Sequence, residues 1–168
     1  MGTLDPKVTG VLPITLGRAC RLSEYFMHKN KTYVGIMRMH EDVELKKLKA
    51  EIKNFIGKII QLPPVRSSVK RAERVREVMT FKILEIDGKD VLFETEVEAG
   101  TYIRKLIHDL GEKIGGAHML ELRRTKAGIF DESTAITLYE FEKAIKENYV
   151  EVFDKQSNLL AQKLRTPQ

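Results

Sequence analysis

The spacing of apolar positions changes character several times along this chain, and each change marks an element. KTYVGIMRMH (31–40) is rich in β-branched and aromatic residues between the polar HKNK and a run of acids, which predicts a strand. From Val43 the period lengthens, and Leu45, Leu48, Ile52 and Phe55 recur at helical spacing with Gly57 placed as a C-terminal stop. QLPPVRSS (61–68) cannot be regular structure at its Pro-Pro pair and is expected to leave that helix as an extended loop. VMTFKILEI, the turn residues Asp87-Gly88 and DVLFETEVE form the clearest hairpin signal. In GTYIRKLIHDLGEKIG (100–115), Ile103, Leu106, Ile107, Leu110 and Ile114 make an apolar stripe, so a helix packed on the sheet follows Ala99-Gly100 directly. TLYE (137–140) has the form of a capping box opening a helix through about Lys146. Hairpin-connected strands mixed with helices predict an α+β fold on a largely antiparallel sheet. One domain over 1–150 and a polar tail over 151–168 are expected.

A chain of 168 residues is long enough to bury a real core. No apolar run approaches the roughly 18 residues of a membrane span, and no secretion signal stands at the start. Cys20 is the single cysteine, which excludes an internal disulfide and points to a reduced, cytoplasm-like compartment. The net charge of +5 only hints at a polyanionic partner, but the charges are segregated. Arg66, Lys70, Arg71, Arg74 and Arg76 crowd one short segment with Glu73 as its only acid, and Arg123, Arg124 and Lys126 form a second group. The acids collect at 40–44 and 85–98. This separation favours a nucleic-acid partner over a merely solvated surface.

His28, His40, His108 and His118 show no metal-ligand spacing and are expected to be structural or exposed; neither metal nor cofactor is implied. No glycine-rich phosphate loop follows a strand, and no local signature marks a Ser-His-Asp set. Several separated segments are each locally unusual. Asp5 stands before Pro6 between Gly2 and Gly10, either as the N-cap of a helix or as a carboxylate fixed on a tight loop. Tyr33 enters a strand, Lys70 lies in the basic loop, Tyr102 and Arg104 open a helix, and Leu122 precedes an Arg-Arg pair.

Together, GTLDPKVTGVLPITLGRACRL, KTYVGIMRMH, QLPPVRSSVKR, EAGTYIRKLIHDLG and GAHMLELRRTKAG occur in the order and spacing of the TruB-like pseudouridine synthases. The PPVRSSVKR and GAHMLELRRT segments most resemble the archaeal and dyskerin-type branch that works with H/ACA guide RNA. The resemblance covers about residues 2–130 and implies the pseudouridine-synthase fold, with a mixed, largely antiparallel sheet flanked by helices. It implies Asp5 as the catalytic nucleophile, Tyr33 as the residue that stacks on the target uracil, and Arg104 as the partner of Asp5. Lys70, Tyr102 and Leu122 would line or support the pocket, and Arg66, Arg71, Arg74, Arg76, Arg123 and Arg124 would contact RNA. Guide or substrate RNA and small H/ACA accessory proteins are the partners it implies, with a nucleolar location in a eukaryote.

The resemblance also sets expectations about what differs. Relatives carry a strand, a loop and a helical region before the Asp loop and a PUA domain at the C-terminal end, so a shortened catalytic domain is expected. IGGAHM is one residue shorter than the usual segment, and Ile129 stands in place of a common proline. A shortened sheet would expose an edge that invites a partner or a second copy, and the chain alone would have weak or no activity. A non-catalytic RNA-binding or assembly module on the same fold is the alternative. An aspartate-nucleophile hydrolase would need a second acid near Asp5, which no motif offers.

Overall fold

The computed structural model describes residues 3–62 and 72–146. Seven strands form one sheet in the order β1-β6-β2-β5-β4-β3, with β7 also paired to β6. The strands are β1 (Val8–Gly10), β2 (Lys31–Met39), β3 (Gly57–Gln61), β4 (Arg74–Asp87), β5 (Asp90–Val97), β6 (Ala117–Ala127) and β7 (Phe130–Asp131). All neighbours are antiparallel except β1 and β6, which run parallel. Four α-helices accompany them: α1 (Ser23–Met27), α2 (Leu45–Asn54), α3 (Ile103–Ile114) and α4 (Leu138–Lys146).

The strict alternation of β5 explains its central place. Val91, Phe93, Thr95 and Val97 are buried, while the residues between them are half-exposed. Thr95 brings a hydroxyl into this interior and satisfies it by donating to the Thr80 carbonyl at 2.7 Å. On the core face Phe81 stacks on Phe93 with ring centroids 5.0 Å apart. The stripe of α3 lies over this face together with Leu48 and Ile52 of α2. The opposite face carries charge pairs such as Arg38–Asp90 and Lys82–Glu94.

The expected hairpin, both long helices and the capping box are present. The hairpin turn sits one residue later than expected, with Asp87 and Asp90 paired across Gly88-Lys89. At the head of α4 the Thr137 amide donates to Glu140 Oε2 at 2.7 Å, and the Glu140 amide donates back to Thr137 Oγ1 at 3.1 Å. Two short strands differ from expectation. β1 follows Asp5-Pro6, so that pair opens a strand rather than a helix, with the Val8 amide donating to the Asp5 carbonyl at 2.8 Å. β3 extends directly from the turn after α2 and ends at Gln61, the first residue of the expected loop, and the sequence reading placed no strand there. The Pro-Pro segment from 63 to 71 and the tail beyond 146 lie outside the described residues.

Gly111 sets how closely α3 approaches β6. A Cβ there would stand 2.4 Å from the Ala117 amide nitrogen, so helix and strand meet backbone to backbone. Gly111→Ala should therefore overpack this contact and destabilise folding by roughly 1–3 kcal/mol, measured by denaturant unfolding. An unchanged midpoint would contradict the close approach.

Candidate active site

Parallel pairing of β1 with β6 places the Asp5 turn beside the start of α3. Val8, Thr9 and Gly10 lie opposite Leu122, Arg123 and Arg124. The pairing requires Gly10, whose φ is +107° and whose added Cβ would fall 2.1 Å from the Arg124 carbonyl oxygen. Across this gap Arg104 Nη2 meets Asp5 Oδ2 at 3.1 Å. Both side chains are accessible, Arg104 at 49% and Asp5 at 59%. The carboxylate is thus held at the surface.

Tyr33 lies on the core face of β2, opposite Arg124 on one side and Thr95 on the other. Register shifts at Thr32/Tyr33 and Ile36/Met37 interrupt the β2–β6 ladder and re-aim side chains beside the site. Burial raises the Tyr33 phenol above its ordinary range, the nearby Arg124 guanidinium pulls it back, and the Asp5 carboxylate raises it further. Tyr33 is the cross-strand neighbour of Arg124, whose side chain reaches the Val11 and Thr3 carbonyls on either side of Asp5. Leu122 is buried between Val8 and Gly35 in the three-strand ladder.

Tyr102 precedes the first turn of α3 and is fixed through its backbone. Gln61, only 2% exposed, accepts from the Tyr102 amide at 2.9 Å and donates to the Tyr102 carbonyl at 3.2 Å. This clamp holds the helix start that carries Arg104. Gln61 was not singled out from sequence, where its one signal is a polar residue ending an apolar run.

The expected basic surface is only partly realised. Arg66, Lys70 and Arg71 lie outside the described residues. Arg74 is half-buried at the start of β4. Arg76 folds back onto the chain, donating from Nη1 to the Val75 carbonyl at 2.9 Å and facing Glu98 at 3.8 Å. Arg123 is exposed and paired with Glu132 at 2.7 Å. Arg124 corrects the expectation outright: it is 2% exposed and binds backbone carbonyls, so it presents no cation to RNA.

Two histidines also meet unexpectedly. His40 Nε2 and His118 Nδ1 are 2.8 Å apart at the end of the β2–β6 pair remote from Tyr33. No group of three or more metal-ligating side chains occurs among the described residues. A groove of about 320 Å³ between α2 and β4, lined by Lys49, Ile52 and Phe81 among others, contains none of the site residues.

Comparison with known proteins agrees with this arrangement. Residues 1–47 match the TruB family pseudouridylate synthase N-terminal domain, and residues 104–165 match the tRNA pseudouridylate synthase B C-terminal domain. A probable tRNA pseudouridine synthase B of Methanopyrus kandleri is 52% identical over 144 residues, 85% of this chain and 43% of that protein. Its namesake in Pyrococcus abyssi is 55% identical over 141 residues, 83% of this chain and 42% of that protein. A crystal structure of a Cbf5-Nop10-Gar1 complex superposes with a TM-score of 0.81 at 50% identity, covering 89% of this chain and 47% of that one. An H/ACA RNP bound to a substrate RNA containing 2'-deoxyuridine gives 0.76 at 46% identity, covering 89% and 46%. The fold is that of a pseudouridine synthase, and the chain belongs to the TruB family. It spans less than half the length of the curated relatives it matches.

Lys31, 6% exposed, braces the strand carrying Tyr33 by donating Nζ to the carbonyls of Met27 (2.7 Å) and Lys29. Burial, and then the charge of Arg124, lower its ammonium to about 8. The folded state favours the neutral amine, so between about pH 8 and the ordinary lysine range the unfolded chain binds more protons. Folding should therefore gain stability as pH rises through that window. The melting temperature of the wild type relative to Lys31→Met should increase between about pH 8 and 10. A difference independent of pH would refute the assignment.

Proposed function

We propose that this chain is the catalytic core of an RNA pseudouridine synthase that isomerises a uridine in structured RNA. The observation that carries the reading is the ion pair between Asp5 and Arg104, two residues far apart in sequence, on the side of the sheet that carries the half-buried Tyr33. The reaction cleaves the C1′–N1 bond, turns the base and rejoins it through C5, so atoms are rearranged without gain or loss. It needs a carboxylate that either attacks C1′ or removes a sugar proton, and Asp5 is that group. Arg104 pairs with the carboxylate and keeps it aimed once a bound nucleotide covers it. The target must leave its stack at a cost of a few kcal/mol, and stacking on Tyr33 returns roughly 1–3 kcal/mol of this.

Accessibility of Asp5 and Arg104 suits a site completed by its substrate. RNA supplies the cover and the guiding contacts, and the 66–76 segment supplies cations for its phosphates. The target is a uridine of rRNA chosen by an H/ACA guide or a uridine of a tRNA loop. The structural neighbours, a Cbf5-Nop10-Gar1 complex and an H/ACA RNP bound to a substrate RNA, favour the guided setting with small accessory proteins. The second reading is an RNA-binding module that keeps the fold without turnover.

With protein in excess over RNA carrying 5-tritiated uridine, tritium should pass into water as pseudouridine forms, and Arg104→Ala should slow this by more than tenfold. A rate within threefold of wild type would mean that the pair has no catalytic part, and no tritium release by the wild type would favour the binding module. Neutralising Lys70, Arg71 and Arg74 together should weaken RNA binding and flatten its salt dependence. An unchanged salt slope would remove the 66–76 segment from the interface.

A further inference from the structure

Arg123 and Arg124 are adjacent on β6, yet the chain uses them oppositely. Arg123 reaches solvent and pairs with Glu132, whereas Arg124 is sealed in the interior. A buried guanidinium is costly unless its donors are used. Nε donates to the Val11 carbonyl at 2.7 Å and Nη1 to the Thr3 carbonyl at 3.3 Å. The Arg124 carbonyl in turn accepts from the Val11 amide at 2.8 Å. Thr3 and Val11 stand on either side of Asp5, so a single side chain grips both ends of the segment that carries the carboxylate.

The remaining nitrogen is the informative one. Nη2 of Arg124 is buried and makes no hydrogen bond. Tyr33 is the cross-strand neighbour of Arg124, and the guanidinium charge lowers the proton affinity of its phenol. Hydrogen bonds at catalytic groups often tighten only when substrate is present.

We propose that Arg124 is a positioning residue that fixes Asp5 and Tyr33 relative to each other, by closing the Asp5 loop at both ends and keeping Nη2 as a donor for the Tyr33 phenol oxygen in the substrate complex. The tether rests on geometry alone, while its effect on turnover rests on the synthase reading above. Planarity explains why arginine serves here. Two carbonyls on opposite flanks of a loop are reached by one rigid fork with separate N–H groups, which a lysine ammonium cannot span with the same geometry.

The test compares Arg124→Met and Arg124→Lys with wild type in the full chain. Amide exchange at Val8 and Val11 should accelerate at least tenfold in Arg124→Met, while Leu110 and Ile114 in α3 keep their protection. Arg124→Lys should fall between the two, and it carries the same comparison if the methionine variant does not fold. At saturating protein, Arg124→Met should lower the single-turnover rate about a hundredfold with RNA affinity unchanged, and Arg124→Lys should restore part of it. Wild-type exchange at Val8 and Val11 in a folded variant would overturn the tether. Weakened RNA binding with an unchanged rate at saturation would return Arg124 to the role of phosphate contact. If the wild type releases no tritium, the synthase reading fails, and the exchange comparison alone decides the tether.

Discussion

Three residues of β1 laid parallel against the middle of β6 are the constraint on which the site depends. Without that pairing little locates the Asp5 turn, whose own sequence offers a proline and the half-buried Leu4 before Val8. With it, the turn is held beside the first turn of α3, whose position is set by its buried stripe and by the Gln61 clamp on Tyr102. The carboxylate and the guanidinium meet because two rigid elements deliver them, which is how a site on a loop acquires precision.

Energetics support that order of cause. An ion pair as exposed as Asp5–Arg104 contributes about 0–1 kcal/mol to folding, too little to hold a loop in place. The pair is a consequence of the fold and is available for chemistry. Hydrogen bonds beneath it do the holding, since a buried donor left unmade costs about 1–3 kcal/mol. The interior side of the site is correspondingly cationic, with Arg124 and Lys31 near enough for the first to lower the proton affinity of the second.

What could be read from the sequence follows the range of the interactions involved. The β4–β5 hairpin, α3 and the capping box of α4 were legible because periodicity and turn residues within a few positions specify them. The two terminal strands were not, because β1 and β3 are short and exist by virtue of a distant partner. Among the site residues, Asp5, Tyr33 and Arg104 were reached through motif resemblance, and the geometry gathers them. Arg124 misled because an Arg-Arg pair in a basic chain reads as surface, while alternation along a strand sends its second member inward. Gln61 and the His40–His118 contact depend on strand register, to which local composition is blind.

The central claim is that one acidic side chain near the start of the chain performs the chemistry while other residues bind and position the RNA. The most direct measurement compares wild type with Asp5→Asn in the same reaction, reading RNA affinity and pseudouridine content together. The account predicts equal affinity within about twofold and no pseudouridine from the variant at any protein excess. Pseudouridine formed by Asp5→Asn at the wild-type rate would contradict it.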